Sequence, residues 1–483
     1  MGVLSNLEPK NVFHYFEEIT KIPHGSGNIQ QISDYLVNFA KARGLHVTQD
    51  ELKNVIIIKE ATPGYESEPA VILQGHMDMV AVKTPDCPIN MKTEGLRVAI
   101  RGDEIYAEGT SLGGDDGIAV AYALALLDSD SIKHPKLEVV ITVDEEVGMD
   151  GARGIDLSML TGHRMINLDS EEEGIFLTSC AGGARVNCSL PLDFEDRQGT
   201  TLELSVGGLQ GGHSGAEIHK ERGNSNCLMG RVLYRVAEKL PVCLCTVDGG
   251  LADNAIPRET KAVILTDERD VQEIRDIVRT VEDEVRAELA TKDPEVYIHA
   301  KQRETKQVSC VTVEDTRRAA AFLCALPNGV QAMSADMPEL VETSLNLGIL
   351  KLDGNGLKAE FSVRSSVESE KYALIGKLEA VTALAGGSYQ ATGDYPGWKY
   401  RKDSPLREKM IALYEKMYGD PPKVEAIHAG LECGILGSKI SDLDCVSMGP
   451  QMHDIHTTEE TLSISSTARV WDYLVRLLEE REA

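Results

Sequence analysis

Apolar positions in the N-terminal third of the chain follow two spacings in alternation. Short runs of aliphatic, largely β-branched residues at 55–58, 70–73, 139–143 and 164–168 read as strands buried on both faces. Between them, apolar residues recur at helical spacing. One such stretch is 9–22, with Phe13, Phe16 and Ile19 on a single face. A second is 29–42, followed by Gly44 as a stop, and a third is 118–128. Two shorter strands are predicted at 98–100 and 104–107. Strand and helix in alternation predict an α/β domain built on a central sheet with flanking helices.

From about residue 201 the pattern changes. Strands at 202–206, 262–265 and 296–300 accompany helices at 221–240 and 271–291. A second round follows, with a helix at 316–326, strands at 342–350 and 357–363, and a helix at 371–385. This predicts a separate α+β domain, with the look of an internal duplication. Beyond it come an amphipathic stretch at 406–418, a glycine-rich stretch at 426–435, a short strand at 445–448 and a closing helix at 464–480. The apolar face of that last helix is predicted to pack back on the first domain. The first domain is therefore read as discontinuous, 1–190 plus 391–483, with an inserted domain at 191–390.

Polar chemistry gathers where the first domain's strands end. One strand runs into His76 and Asp78, another into Asp144-Glu145-Glu146, and a third into Asp169; a glycine-rich turn at 109–117 carries Asp115 and Asp116. Near the C-terminus, GPQMHDIHTTEE carries His453 and His456. Carboxylates at the C-terminal edge of an open α/β sheet lie where such sheets place ligands. Each stretch also has a plain reading: a solvated acidic turn, a helix N-cap at Asp115 or Asp116, a polar strand end. Taken together, two histidines and four or five carboxylates match the needs of a pair of divalent cations. Two-metal hydrolysis uses that donor set.

Composition narrows the field. A formal net charge of −28 argues against a nucleic-acid-binding surface. Ten cysteines without a CxxC pair are expected to be reduced thiols of a cytoplasmic protein. No signal peptide is read at the N-terminus, and the longest apolar run, 117–127, is too short to span a membrane.

HMDMV, GGDDG, EEVGMDGA, NLDSEE, GGHSG, NAIP and a final H-x-x-E, in this order, resemble the signatures of the M20 metallopeptidases. Within them the chain is most similar to the cytosolic branch that cleaves Xaa-His and other small unblocked dipeptides. The resemblance implies a di-metal aminopeptidase-like domain with a central mixed sheet, plus an inserted lid that also makes a homodimer. It implies one cation on His76, Asp115 and Asp169 and a second on Asp115, Glu146 and His456, with Asp115 bridging. Zinc is the expected metal, with manganese or cobalt as alternatives. His456 is preferred over His453 because an acid, Glu459, follows it by three residues.

The resemblance further implies that Asp78 orients His76, and that Glu145 is the general base for a metal-bridging water. It implies a cis Asp115–Asp116 peptide. His213 would stabilise the oxyanion, and Asn254 and Arg364 would bind the C-terminal part of the substrate. Glu432 is offered as a partner for the substrate's free amine, against a purely structural role. Asp144 is expected to be structural. Two other functions share the motifs: an amidohydrolase acting on N-acyl amino acids, and a non-catalytic protein on the same fold.

Overall fold

The structure, a computed structural model, describes residues 2–481. The chain divides into two compact units. The first comprises 1–179, 400–426 and 432–483; the second comprises 180–399 and 427–431.

The first unit is built on an eight-stranded mixed sheet. At its centre Leu137–Thr142, Val71–His76, Arg164–Asn167 and Asp444–Ser447 lie side by side, all parallel. Apolar residues dominate the middle of these strands because both faces are covered: every residue of Val71–His76 and Leu137–Thr142 is buried. Four parallel strands bring four C-terminal ends to one edge. Register makes the alignment closer still, pairing His76 with Thr142 and Gln74 with Asn167.

The helix Gly114–Asp128 is apolar around its whole circumference and buried from Gly117 to Leu127, as a helix inside a core should be. It packs with Lys10–Thr20, Gln30–Ala42 and Ile464–Glu479 in one apolar cluster. The closing helix thus joins the core begun at the N-terminus. A small four-stranded sheet pairs Thr461–Ser463 with Glu104–Ala107, again joining the chain's two ends.

The second unit has its own core, on a nine-stranded antiparallel sheet covered by helices that include Ser225–Lys239, Val271–Glu288, Val313–Ala325 and Glu368–Leu384. The two predicted rounds occupy the two halves of this sheet, joined where Gly249 pairs with Leu350. The unit begins and ends slightly outside the predicted 191–390. The reason is the strand Gly182–Leu190, which pairs with Gly356–Ser365 on one side and Ser388–Tyr395 on the other and so belongs to this sheet. Residues 427–431 also join the second unit, from within the stretch read as glycine-rich loop. Among the described residues no helix is long and apolar enough to cross a membrane.

Candidate active site

His76 is the last residue of Val71–His76, and Asp169 lies two residues beyond Arg164–Asn167. Glu145 and Glu146 follow the neighbouring strand in a tight turn, with Asp144 at φ +53° and Met149 at φ +58°. Asp115 stands at the mouth of the buried helix, and the Asp115–Asp116 peptide is cis. His456 sits at the tip of a hairpin whose limbs, Met452–His453 and Thr461–Ser463, pair with each other.

These segments bring one carboxylate between two imidazoles. Asp115 Oδ1 lies 3.2 Å from His76 Nε2, and its Oδ2 lies 3.1 Å from His456 Nε2. On the first side Asp169 Oδ1 is 3.4 Å from His76 Nε2; on the second, Glu146 Oε2 is 3.0 Å from His456 Nε2. The five residues expected as ligands therefore meet, with one oxygen of Asp115 on each side. His453 is exposed and takes no part.

Asp116 competes with Asp115 for this description, since it too forms a close group with His76 and Asp169. Its Oδ2 is already taken by the backbone N–H of His76 at 3.1 Å. Asp115 offers both oxygens to ring nitrogens and fits the shared position better.

The donor chemistry suits hard or borderline cations. Among the described residues no lysine or arginine pairs with these acids, and Glu146 Oε1 is buried without a hydrogen-bond partner. By itself the cluster balances its charge with protons. Burial works against charging His76, yet Asp169, Asp115 and Asp78 outweigh it and raise its pKa well above the ordinary histidine value. Hydrogen bonds to Asp115 and Glu146 push His456 up to about 10. Burial opposes ionisation of Asp115, but the two imidazoles hold its carboxyl below the usual range. Burial lifts Asp169 to about 6, with repulsion from Asp115 and Glu146 adding to it.

Asp78 lies behind His76. The His76 Nδ1 is 3.0 Å from the backbone carbonyl of Asp78 and 3.5 Å from its carboxylate. The carboxylate also accepts the Glu145 N–H at 3.1 Å, the Glu146 N–H at 3.4 Å and the Ser26 hydroxyl at 2.8 Å. Asp78 thus ties the histidine to the acidic turn. Asp144 Oδ1 accepts the Gly27 N–H at 2.6 Å, an anchoring contact. Glu145 is half-buried. Burial pushes its carboxyl well above the ordinary range, with Asp169, Glu432 and Glu146 contributing by repulsion. A carboxylate so placed is a better base than a solvated one.

Glu432 is fully buried. Its Oε2 accepts from Gln74 at 2.6 Å and Thr142 at 2.5 Å, and its Oε1 has no hydrogen-bond partner among the described residues. Burial raises its pKa to about 8.

His213, Asn254 and Arg364 belong to the second unit. Gly212–His213 and Ala255–Ile256 form a two-stranded ladder that brings His213 beside Ala255, and the Asn254 carbonyl accepts the Ser214 N–H at 2.9 Å. The Asn254 side chain is exposed. His213 Nδ1 accepts from the N–H groups of Gly215 (3.2 Å) and Ala216 (3.0 Å). That leaves the ring proton on Nε2. Burial, then the charge of Arg364, lower the His213 pKa, so the ring is neutral. Arg364 is buried; one terminal nitrogen donates to the Tyr395 hydroxyl at 3.3 Å, and Nε has no hydrogen-bond partner among the described residues. Nearby His428 shares a 2.7 Å hydrogen bond with Ser344 and is pushed down to about 3 by burial and by Arg364.

Besides Gln74, which holds Glu432, two contributors were not legible in the sequence. Ser26 lies in a stretch, HGSGN, that reads only as a turn, yet it holds Asp78. Glu460, not Glu459, is the acid turned inward after His456: Glu459 is exposed, whereas Glu460 is buried and grips the Asp115 turn. Nothing in the pair Glu459-Glu460 distinguishes the two without knowing where the strand Thr461–Ser463 begins.

Comparison with known proteins identifies the family. The chain is 36% identical over 482 residues, 99% of each chain, to the cytosol non-specific dipeptidase of Escherichia coli strain K12. It superposes on the crystal structure of aminoacylhistidine dipeptidase from Vibrio alginolyticus with a TM-score of 0.95 at 35% identity, covering 100% of this chain and 99% of that one. Aminopeptidase PepT from Bacillus cereus shares the fold at a TM-score of 0.56 and 16% identity, covering 98% of both chains. The model for peptidase family M20/M25/M40 matches residues 72–480, a span that runs from the first ligand strand to the closing helix, and the chain belongs to that family.

Proposed function

We propose that this protein is a metal-dependent dipeptidase, cleaving Xaa-His and other small unblocked dipeptides. The observation that carries the reading is Asp115, with each carboxylate oxygen turned to a different histidine and a further carboxylate beside each. His76, Asp115 and Asp169 would hold one divalent cation, and Asp115, Glu146 and His456 the other. Zinc is the metal we propose, with manganese or cobalt as alternatives. Bound there, the cations supply the charge that acidifies a water and polarises the peptide carbonyl.

The chain's own groups supply the rest. Glu145 takes the water's proton and returns it to the leaving amine. Asp78 and Ser26 hold the turn that aims Glu145. His213, neutral with its proton on Nε2, is a hydrogen-bond donor suited to a developing oxyanion. Arg364, buried with an unpartnered Nε, suits the carboxylate of a substrate's C-terminus, and Asn254 supports the same end. Glu432 keeps one free oxygen, the valence a substrate amine would need. A requirement for both free termini selects dipeptides.

The names of the two whole-chain relatives point the same way. The ten cysteines form no disulfide among the described residues, which suits a cytoplasmic protein. A homodimer is the assembly we propose, which sedimentation will test. The reading as a whole is tested with a dipeptide panel, including β-Ala-His, on chelated enzyme with each metal added back. Hydrolysis restored by a divalent cation supports it. Turnover of N-acetyl amino acids with no dipeptide cleaved would assign the chain to the amidohydrolases instead.

A further inference from the structure

Glu460 is buried, and no cationic side chain pairs with it among the described residues. Its partners are backbone amides of a single turn. Oε2 accepts from Leu112 at 2.7 Å and Gly113 at 3.1 Å. Oε1 accepts from Gly114 at 2.8 Å and lies 3.5 Å from the Asp115 N–H. Gly113, Gly114 and Asp115 are among the donors that the start of Gly114–Asp128 leaves unsatisfied, Leu112 precedes them, and no local side chain caps that helix. Gly113, at φ +69°, turns the backbone so that successive amides converge on one carboxylate. The fit is close: a Cβ on Gly114 would come within 3.3 Å of Glu460 Oε1.

Glu460 also ends the hairpin whose tip is His456. Three residues separate the two, and the limb beyond Glu460 pairs in register, Thr461 with His453. His76 and Asp169 are placed by adjoining strands of the central sheet and need no such help. The approach of His456 to Asp115 joins two loops far apart in sequence. Besides His456 itself, Glu460 bonds one of them to the other, through the amides of the Asp115 turn.

We propose that Glu460 is a positioning residue for the dinuclear centre, setting the distance between Asp115 and His456 and thereby the affinity of the Asp115–Glu146–His456 cation. This rests on the two-cation reading above. Removing the carboxylate should weaken that cation by about 10- to 100-fold, the usual range for groups that support ligands from behind. The cation on His76, Asp115 and Asp169 should change less.

The test is zinc binding to metal-free protein by competition with a chromogenic chelator, on wild type, Glu460→Gln and Glu460→Asp. Circular dichroism and thermal melting of the metal-free forms are measured alongside. The expected result is two tight zinc ions in wild type, one tight and one weakened in Glu460→Gln, and an intermediate loss in Glu460→Asp, with native-like dichroism throughout. Two ions bound as tightly by Glu460→Gln as by wild type would overturn the proposal. So would failure of both variants to fold, which would make Glu460 a general determinant of the fold. Fewer than two zinc ions in wild type would instead count against the dinuclear reading itself.

Discussion

At the scale of single residues, the candidate site is a set of acids and imidazoles whose charges balance only through protons or cations. His456, raised to about 10, carries a proton at neutral pH, and so does His76. Cation binding must displace those protons. Zinc affinity is therefore expected to rise with pH between neutrality and about 10. Calorimetry in buffers of different ionisation enthalpy should register net proton release; binding without release would contradict this picture. Glu432 allows a second pH test. Its folded pKa of about 8 lies above the ordinary glutamate value, so its contribution to stability is complete below the ordinary value and is lost as pH rises through 8. Glu432→Gln should flatten that decline in the metal-free protein, as read by denaturant midpoints from pH 5 to about 9. An unchanged pH profile would mean that Glu432 stays ionised when folded.

Residue chemistry was legible in the sequence where it sat at the end of an apolar run. His76, Glu145, Glu146 and Asp169 stood out for that reason. Ser26, Gln74 and Glu460 did not, because their roles are hydrogen bonds to partners tens or hundreds of positions away. A serine in a glycine-rich turn or one of two adjacent glutamates carries no local mark of such a partner.

At the scale of elements, apolar runs located the buried strands, and helical periodicity located most helices. What was missed is exposed or alternating. Ser388–Tyr395 is a strand with almost every residue solvent-exposed, and Tyr297–Val311 runs far past its predicted end at 300 into polar residues. Both lie at the ends of the second unit's sheet, where burial places no demand on sequence. The segment carrying His213 is held differently, by a buried acid. Asp293 accepts the Gln210 N–H and the Gly223 N–H, each at 2.7 Å. Asp293→Ala leaves those donors without their acceptor and should cost about 1–3 kcal/mol in denaturant unfolding. It should also reduce turnover without changing zinc content, since no expected ligand lies in that unit. A loss of zinc in Asp293→Ala would be evidence against this division.

At the scale of the whole molecule, one unit is interrupted by the other, so that His456 follows the insertion while the other ligands precede it. The interruption was readable because the apolar face of the closing helix calls for a partner in the first domain. Its boundaries were not, because Gly182–Leu190 follows the first unit directly with no linker to mark the change. All five expected ligands lie in the first unit. Hydrogen exchange with and without chelator should show this, with faster exchange in 71–76, 112–117 and 452–463 when zinc is removed. The helix Val271–Glu288, in the core of the second unit, should be unaffected. Uniform deprotection of both units would show the cations supporting the whole chain.

Glu145 is proposed to move the proton while its neighbour Glu146 holds a cation. The direct measurement is zinc content and dipeptide turnover on the same preparations of Glu145→Gln and Glu146→Gln. The expected result is two zinc ions retained in Glu145→Gln with kcat lowered about 10²- to 10⁴-fold, the range for general acid–base catalysis. Glu146→Gln should lose a zinc ion. Near wild-type kcat in a fully loaded Glu145→Gln would contradict the account.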